Sequence, residues 1–393
     1  MLKVSPRIKM DSSVYESQNI TPITPTRRPI IIPANNVSYQ SISPQIRQIR
    51  TITPQWIPRV LIIGHGGMKG MKGLGFLSPV EDSGLLNYTD THVGVSIGAL
   101  ISLLMICGYR IREIVGEAVK LDVFKEIEAF DFRSVMDNRG FMSSEPVRRR
   151  LTQLVINKFG IVPTLHGLYM MTGKSFIVIT LNASDEKCVI LNPSDNPDMS
   201  CVDATMFSMN VPYVFYQLVH RGKIYVDGAL ANPYPIEYFD DGNTNILGIY
   251  MKASSPKTTP VSHPTGGIIQ RVDDTIAPLP IGSYSFKIIN SLLDHRYYSI
   301  VHRASDHCKH VCLEVKTDDL IGYGATTESK AALLVEGFNE GKAFIEQLLD
   351  GTYRGPKIPD PFRYKYPIYF MMGEDERVDP ESVNMISEMS INT

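Results

Sequence analysis

The sequence feature that most constrains the fold is a strand, a sharp turn and a helix that meet at one serine. Residues Thr91–Val95 carry valine at alternate positions, which predicts the end of a buried strand. Ser96 follows between Gly94 and Gly98 in the pattern G-x-S-x-G, and the apolar run Ala99–Cys107 then predicts a helix. The glycines let strand and helix pass close to the serine, whose hydroxyl is held clear of the sheet. Because the pattern is short and common, a plain buried turn that contains a serine stays open as the alternative.

A glycine-rich loop lies one predicted helix before this elbow. The run Arg59–Ile63 predicts a first strand that is covered on both faces, and it leads into G-H-G-G-M-K-G at residues 64–70. Backbone N–H groups in such a turn, together with the positive end of the following helix, favour an anion.

Three kinds of anion compete for this loop. A dinucleotide pyrophosphate would use Gly64-x-Gly66 and an acidic residue about 20 positions further on, for which Asp82 qualifies. A nucleoside triphosphate would need G-x-x-x-x-G-K-[ST], which no window of the loop provides. A tetrahedral oxyanion needs the loop beside a nucleophile, and Ser96 on the next strand favours this third interpretation.

The residue predicted to act as a base is Asp227. It follows a short apolar strand and precedes Gly228, at a loop tip of the kind that often carries catalytic carboxylates. Taken alone, an Asp-Gly pair would indicate only a turn.

Together these motifs, in this order, resemble the patatin-like phospholipase family, whose pattern is a G-G-G-x-[RK]-G loop, G-x-S-x-G, S-x-x-x-P and D-G-[GA]. The corresponding segments here are His65–Gly70 continuing to Leu77, Gly94–Gly98, Ser208–Pro212 and Asp227–Ala229. The resemblance continues through Asn138–Pro146, Leu230–Pro235 and Ile246–Tyr250, and it covers roughly residues 59–350.

The resemblance implies a three-layer α/β/α fold with a mostly parallel central sheet. It also implies a Ser–Asp dyad without histidine, in which Asp227 accepts the proton of Ser96 directly. The oxyanion hole would be formed by the backbone N–H groups of Gly66, Gly67 and Met68. Such chemistry needs a carboxylate of raised basicity, which burial among aromatic side chains would provide. No cofactor and no metal are implied.

Four further residues are expected to support the site. His65 stands where the family pattern has its first glycine, so its backbone must tolerate the turn, and a contact with a lipid headgroup stays open. Lys69 is the basic position of the loop and would either contact an anion or remain a solvated side chain. Gly70 and Gly228 complete the loop and the D-G-A motif.

Other functional classes fit the sequence less well. An α/β-hydrolase triad would place a histidine after Asp227, but that fold separates its oxyanion loop from its elbow by more than the span 67–94. The late histidines are expected on the surface of a polar helix at 291–305. Cys308, His310 and Cys312 lack a second ligand pair at zinc spacing, so alternation in a strand explains them better. A neutral lipase or lysophospholipase with the same dyad, and a non-catalytic lipid-binding descendant, remain alternatives.

Composition sets the remaining expectations. The net charge of -2 argues against a nucleic-acid partner, and five scattered cysteines favour a reducing, cytoplasmic setting. Residues 1–58 are rich in proline, serine and threonine, and through Arg59 eight basic residues face only Asp11 and Glu16, a surplus of six. This predicts a disordered or extended arm that is a linker, an electrostatic tether to a membrane surface or a targeting segment. The expected partner is a phospholipid or other acyl-ester lipid, reached by peripheral membrane contact.

The domain prediction is an acyl hydrolase domain at 59–350 and an irregular, proline-rich tail at 351–393. Within the domain, the pattern predicts a loose loop at 251–281, a helix at 287–305, a strand at 310–315 and a helix at 328–349.

Overall fold

The computed structural model describes residues 56–120, 137–254, 281–316 and 326–357. The predicted arm therefore lies outside the described residues except for Trp56–Pro58, as does the predicted tail beyond residue 357, and both stay predictions. Trp56 itself contacts the folded chain, because its indole nitrogen donates a hydrogen bond to the carbonyl of His307 at 3.0 Å.

The described part of the chain alternates strands and helices. In chain order the elements are β1 Val60–Ile63, α1 Gly70–Asp82, β2 Thr91–Val95, α2 Ile97–Ile106, α3 Ile111–Lys120, β3 Gly140–Met142, α4 Glu145–Phe159, α5 Leu165–Thr172, β4 Ser175–Asn182, β5 Lys187–Leu191, α6 Cys201–Ser208, β6 Tyr213–Phe215, β7 Leu218–His220, β8 Lys223–Asp227, β9 Ile246–Ser254, α7 Ile281–Arg303, β10 Cys308–Lys316 and α8 Thr327–Leu349.

The central sheet is mostly parallel. Its order is β10-β9-β1-β2-β4-β8-β7, with β5 also paired to β4. The pairs from β10 to β4 are parallel, whereas β5, β7 and β8 form antiparallel pairs at one side. Strands β3 and β6 form a separate parallel pair.

Two apolar layers cover the sheet, because successive side chains of a strand point to opposite faces. Leu61 and Ile63 of β1 pack with α1, α2 and α8. Val60 and Ile62 pack on the other face with Leu293, Tyr297 and Ile300 of α7. The predicted three-layer α/β/α class with a mostly parallel sheet is confirmed.

Several boundaries differ from the sequence-based expectation. Helix α7 begins at Ile281 and ends at Arg303, whereas the pattern predicted 287–305. Strand β9 runs to Ser254, so the first four residues of the loop predicted at 251–281 belong to a strand instead, and residues 255–280 lie outside the described residues. Among the helices that the structure describes, none combines the length and apolarity needed to cross a bilayer.

Helices α1 and α8 touch through glycines. A Cβ atom at Gly337 of α8 would lie 2.1 Å from the carbonyl oxygen of Lys72 in α1. A Cβ atom at Gly75 of α1 would in turn lie 2.2 Å from the carbonyl oxygen of Leu334. These contacts are with backbone atoms, which cannot rotate away, so the helices must separate if either glycine gains a side chain.

We expect Gly337→Ala to lower the free energy of unfolding by about 1–3 kcal/mol, the usual cost of overpacking, because the clash outweighs the roughly 1 kcal/mol that alanine gains in a helix. Gly116→Ala in α3 is the matched control, since a Cβ atom there meets nothing within 4 Å. That variant should be more stable than wild type by up to about 1 kcal/mol. Urea unfolding measures both changes, and equal stabilities for the two variants would contradict the packing argument.

Candidate active site

Ser96 occupies the turn between β2 and α2. Its φ of 56° and ψ of -125° lie in a region that residues other than glycine rarely adopt. Gly94 and Gly98 allow the close passage around it. A Cβ atom at Gly94 would lie 2.2 Å from the Cα atom of Ala99, and one at Gly98 would lie 2.1 Å from the carbonyl oxygen of Ile63. The predicted strand–turn–helix elbow is therefore present, with a strained serine at its apex.

Asp227 lies beside Ser96 although 131 residues separate them in the chain. The Ser96 hydroxyl donates a hydrogen bond to Asp227 Oδ2 at 2.5 Å, and the Ala229 amide donates to Asp227 Oδ1 at 2.8 Å. Both side chains are buried, with relative exposures of 6% and 4%. Each carboxylate oxygen thus has one donor, and the oxygen that faces the serine is positioned to accept its proton.

Burial changes the acidity of this carboxyl group. Desolvation raises the pKa of Asp227 to about 6, and the hydrogen bonds from Ser96 and Ala229 oppose the shift without cancelling it. The group is therefore more basic than an ordinary aspartate while it remains ionised near neutral pH.

The glycine-rich loop forms a single 3-10 turn, Gly67–Lys69, before α1 begins. Gly67 has a φ of +51°, and the amide of Lys69 bonds to the carbonyl of Gly66 at 2.9 Å. Among the backbone bonds of the described residues, none has the amide of Gly66, Gly67 or Met68 as its donor. Gly67 and Met68 line the same cavity as Ser96, whereas Gly66 packs behind them against Met251.

His65 and Lys69 point away from solvent. His65 Nε2 lies 3.4 Å from the hydroxyl of Tyr250, which donates to Asp294 Oδ1 at 2.9 Å. Burial holds the pKa of His65 well below its usual range, so the ring is neutral and anchors the loop. Lys69 is only 4% exposed, and desolvation lowers its pKa to about 8 against the opposing attraction of Asp294. The alternative of a solvated Lys69 side chain is therefore wrong.

Sequence reasoning missed one residue of the site, Ser208 at the end of α6. Its hydroxyl oxygen accepts a hydrogen bond from the backbone amide of Ser96 at 2.8 Å. Gly228 makes room here, because a Cβ atom at that position would lie 2.0 Å from the carbonyl oxygen of Ile179 and 3.3 Å from Ser208 Oγ. Ser208 opens the S-x-x-x-P motif, but the motif does not reveal which atom its hydroxyl contacts.

An apolar cavity of about 150 Å³ opens beside Ser96. Helices α1, α2, α3 and α4 and the segment 209–215 line it. Apart from Ser96, the polar side chains among its described lining residues are Glu117 and Arg150, which form an ion pair with each other. A lining of this composition suits a hydrocarbon chain and disfavours a polar ligand.

The other sequence candidates lie elsewhere. Asp82, considered for a dinucleotide, pairs with Arg110 at the far end of α1. His295 and His302 are exposed as expected, whereas His310 is buried on β10 with Nδ1 at 3.0 Å from the hydroxyl of Tyr234. Within the described residues, no group of three or more His, Cys, Asp or Glu side chains is arranged to hold a metal ion.

Comparisons with known proteins agree with the motifs. Residues 61–240 match the family model described as "Patatin-like phospholipase". Over 182 residues the chain is 28% identical to "Probable lipid hydrolase 463L" of Invertebrate iridescent virus 6, a match that covers 46% of this chain and 62% of that protein. An uncharacterized protein of Acanthamoeba polyphaga mimivirus is 25% identical over 196 residues, covering 48% of this chain and 64% of its own length. The match thus spans less than two thirds of both viral relatives.

Among solved structures, VipD from Legionella pneumophila aligns with a TM-score of 0.47 and 16% sequence identity, covering 75% of this chain and 67% of its own. The family match ends at residue 240, short of the 350 that the motifs suggested. The resemblance to the patatin-like phospholipase family is confirmed, and residues 61–240 are the part of this chain that carries it.

Proposed function

We propose that this chain is a lipid acyl hydrolase that cleaves fatty-acyl esters of phospholipids through Ser96 and Asp227. The observation that carries the proposal is the 2.5 Å hydrogen bond from the Ser96 hydroxyl, which lines an apolar cavity, to Asp227. A nucleophile, its base and an acyl-sized apolar space meet there, which supports ester hydrolysis over lipid binding alone.

In the first half-reaction, Asp227 Oδ2 takes the proton of Ser96 as Oγ attacks the ester carbonyl carbon. The negative charge that develops on the carbonyl oxygen is held by amides of the loop 66–68, of which Gly67 and Met68 line the cavity. When the tetrahedral intermediate collapses, the C–O bond to the alcohol breaks. Asp227 returns the proton to the leaving oxygen, and the acyl group remains on Ser96.

In the second half-reaction, a water molecule occupies the place that the alcohol has left. Asp227 takes one proton from this water, and the hydroxide oxygen attacks the acyl carbon. Collapse of the second intermediate breaks the bond to Ser96 Oγ, which regains its proton from Asp227. The products are a fatty acid and the regenerated pair, so no histidine, metal or cofactor takes part.

Three alternatives share the site. The substrate could be a neutral lipid or a lysophospholipid, or the chain could bind lipids without cleaving them. Fatty-acid release from phosphatidylcholine vesicles, triacylglycerol emulsions and lysophosphatidylcholine micelles separates them. Release from vesicles would also support the proposed peripheral contact of a cytoplasmic protein with membranes. Equal inactivity of wild type and Ser96→Ala on all three substrates would overturn the proposal.

We expect Ser96→Ala and Asp227→Asn each to reduce kcat/KM on a p-nitrophenyl ester by at least about a thousandfold, because each removes one half of a two-residue unit. The double variant should lose little more than either single variant, since neither residue acts without the other. Circular dichroism serves as the control for folding. Substantial turnover by a folded single variant would rule out the dyad.

The pH profile should report the basicity of Asp227. Its pKa is raised to about 6 and the base must be ionised, so kcat/KM should rise about tenfold per pH unit below 6 and level off above it. Burial lowers the pKa of His310 to about 4 and that of His92 to about 3, so these two side chains would titrate at lower pH than Asp227. His295→Gln and His302→Gln, at exposed positions of α7, are controls that should retain the profile. A rise centred near pH 4 would argue against Asp227 as the base.

Ser208→Ala should lower kcat with little change in KM, because it leaves the amide of Ser96 without its acceptor at the strained turn. An unpaired buried amide costs about 1–3 kcal/mol, so a loss of roughly tenfold to a hundredfold is expected. Ser102→Ala on α2 is the matched control, because this buried hydroxyl has no hydrogen-bond partner among the described residues. Equal kcat values for the two variants would show that the Ser208 contact is irrelevant to catalysis.

A further inference from the structure

The cavity beside Ser96 follows one face of α2. Ile97, Leu100, Ile101 and Leu104 line it, and these positions recur at the i, i+3, i+4, i+7 spacing of a helix face. Seven residues of α-helix span about 10 Å. The cavity therefore extends for about 10 Å along α2, starting from the turn that holds Ser96.

The opposite wall has the same length. Val147, Leu151 and Leu154 of α4 line the cavity with a similar spacing. Helix α4 begins shortly after β3, which pairs with β6, and Phe215 of β6 also lines the cavity. Leu154 lies at the far end with Leu104, because its carbonyl accepts a hydrogen bond from Tyr109, just beyond the end of α2. Val147, two helical turns earlier in α4, therefore lies towards the Ser96 end.

The far end is lined by buried side chains. Leu104, Ile114 and Leu154, from three different helices, are exposed by only 2%, 2% and 6%. Behind them the hydroxyl of Tyr109 donates to the carbonyl of Leu154 at 2.9 Å, and the ammonium group of Lys158 lies 4.1 Å from the centre of the Tyr109 ring. We call Leu104, Ile114 and Leu154 the floor of the cavity.

The length of the cavity sets the upper limit on the chain, and its volume gives a lower figure. A cavity of about 150 Å³ with a mainly apolar lining is about the size that binds benzene, which has six carbons. An extended chain advances about 3.3–3.6 Å per three backbone bonds, or roughly 1.2 Å per bond. A depth of about 10 Å therefore takes roughly eight bonds.

We propose that this cavity selects acyl chains of medium length, with about nine carbons as its upper limit, and that the floor sets the limit. The inference rests on the proposed function, because it requires the acyl group to be bonded to or cleaved at Ser96. Each methylene buried above the floor should raise kcat/KM by up to about fourfold. Carbons beyond the limit find no space in the cavity and therefore add nothing to kcat/KM.

The test is a series of p-nitrophenyl esters with even acyl chains from four to sixteen carbons, all measured as monomers. We expect kcat/KM to rise up to about eight to ten carbons and then to stop rising or fall. A steady rise through sixteen carbons would overturn the length limit and leave the proposed function intact. Absence of Ser96-dependent hydrolysis at every length would overturn both.

Two variants test the floor. We call the chain length at which kcat/KM stops rising the break. Leu104→Ala should move the break to longer chains by about two carbons, because it opens space at the far end. Leu103→Ala is the matched control, since Leu103 is a fully buried neighbour on α2 that does not line the cavity. It should keep the break where the wild type has it. Leu100→Trp narrows the cavity midway and should move the break to shorter chains, which gives an independent test if Leu104→Ala does not fold. A break that stays in place in the folded cavity variants would overturn the role of the floor.

Discussion

The contact between Ser96 and Asp227 depends on β4, which lies between the strands that carry them. Strand β2 runs parallel to β4 with Val95 opposite Ile179, and β8 runs antiparallel to β4 with Asp227 opposite Thr180. A one-residue slip in either pairing would turn the side chains to the other face and separate the two groups. The antiparallel strand at the side of a parallel sheet is thus what allows a residue 131 positions away to face the elbow.

This arrangement is costly for the folded state. Raising the pKa of Asp227 from 3.8 to about 6 disfavours its ionised form by roughly 3 kcal/mol. The pKa of Asp227 is higher in the folded state than in the unfolded state, so this carboxyl group favours folding most at pH values below the unfolded pKa of 3.8. That contribution to the free energy of unfolding is lost as the pH rises through about 6. The strained backbone of Ser96 adds a further cost of about 1–3 kcal/mol. Contacts such as the Ser208 hydroxyl on the Ser96 amide offset part of these costs at the place where they arise.

The order of motifs was enough to predict the fold class, the elbow and the strand that bears Asp227, because each motif reflects a local requirement of its own backbone. Long-range partners could not be predicted in this way. His65 meets Tyr250 185 residues later, and no local pattern near either residue indicates that contact. The burial of Lys69 could not be predicted from the sequence either, because it depends on the elements that pack around this lysine in the folded chain. The roles of the dyad and of the loop amides stay predictions until they are measured.

Strand β9 holds the glycine-rich loop from both faces of the sheet, whereas the far part of the apolar cavity is built by other elements. Its neighbouring residues Tyr250 and Met251 point to opposite faces of the sheet. Tyr250 meets His65 on one face, and Met251 fills the space beside Gly66 on the other, so that both hold the same loop. The far part of the cavity instead depends on α2, α3 and α4, which share none of these contacts. Substitutions deep in those helices can therefore alter the far part of the apolar cavity while the loop, the serine and the carboxylate keep their geometry.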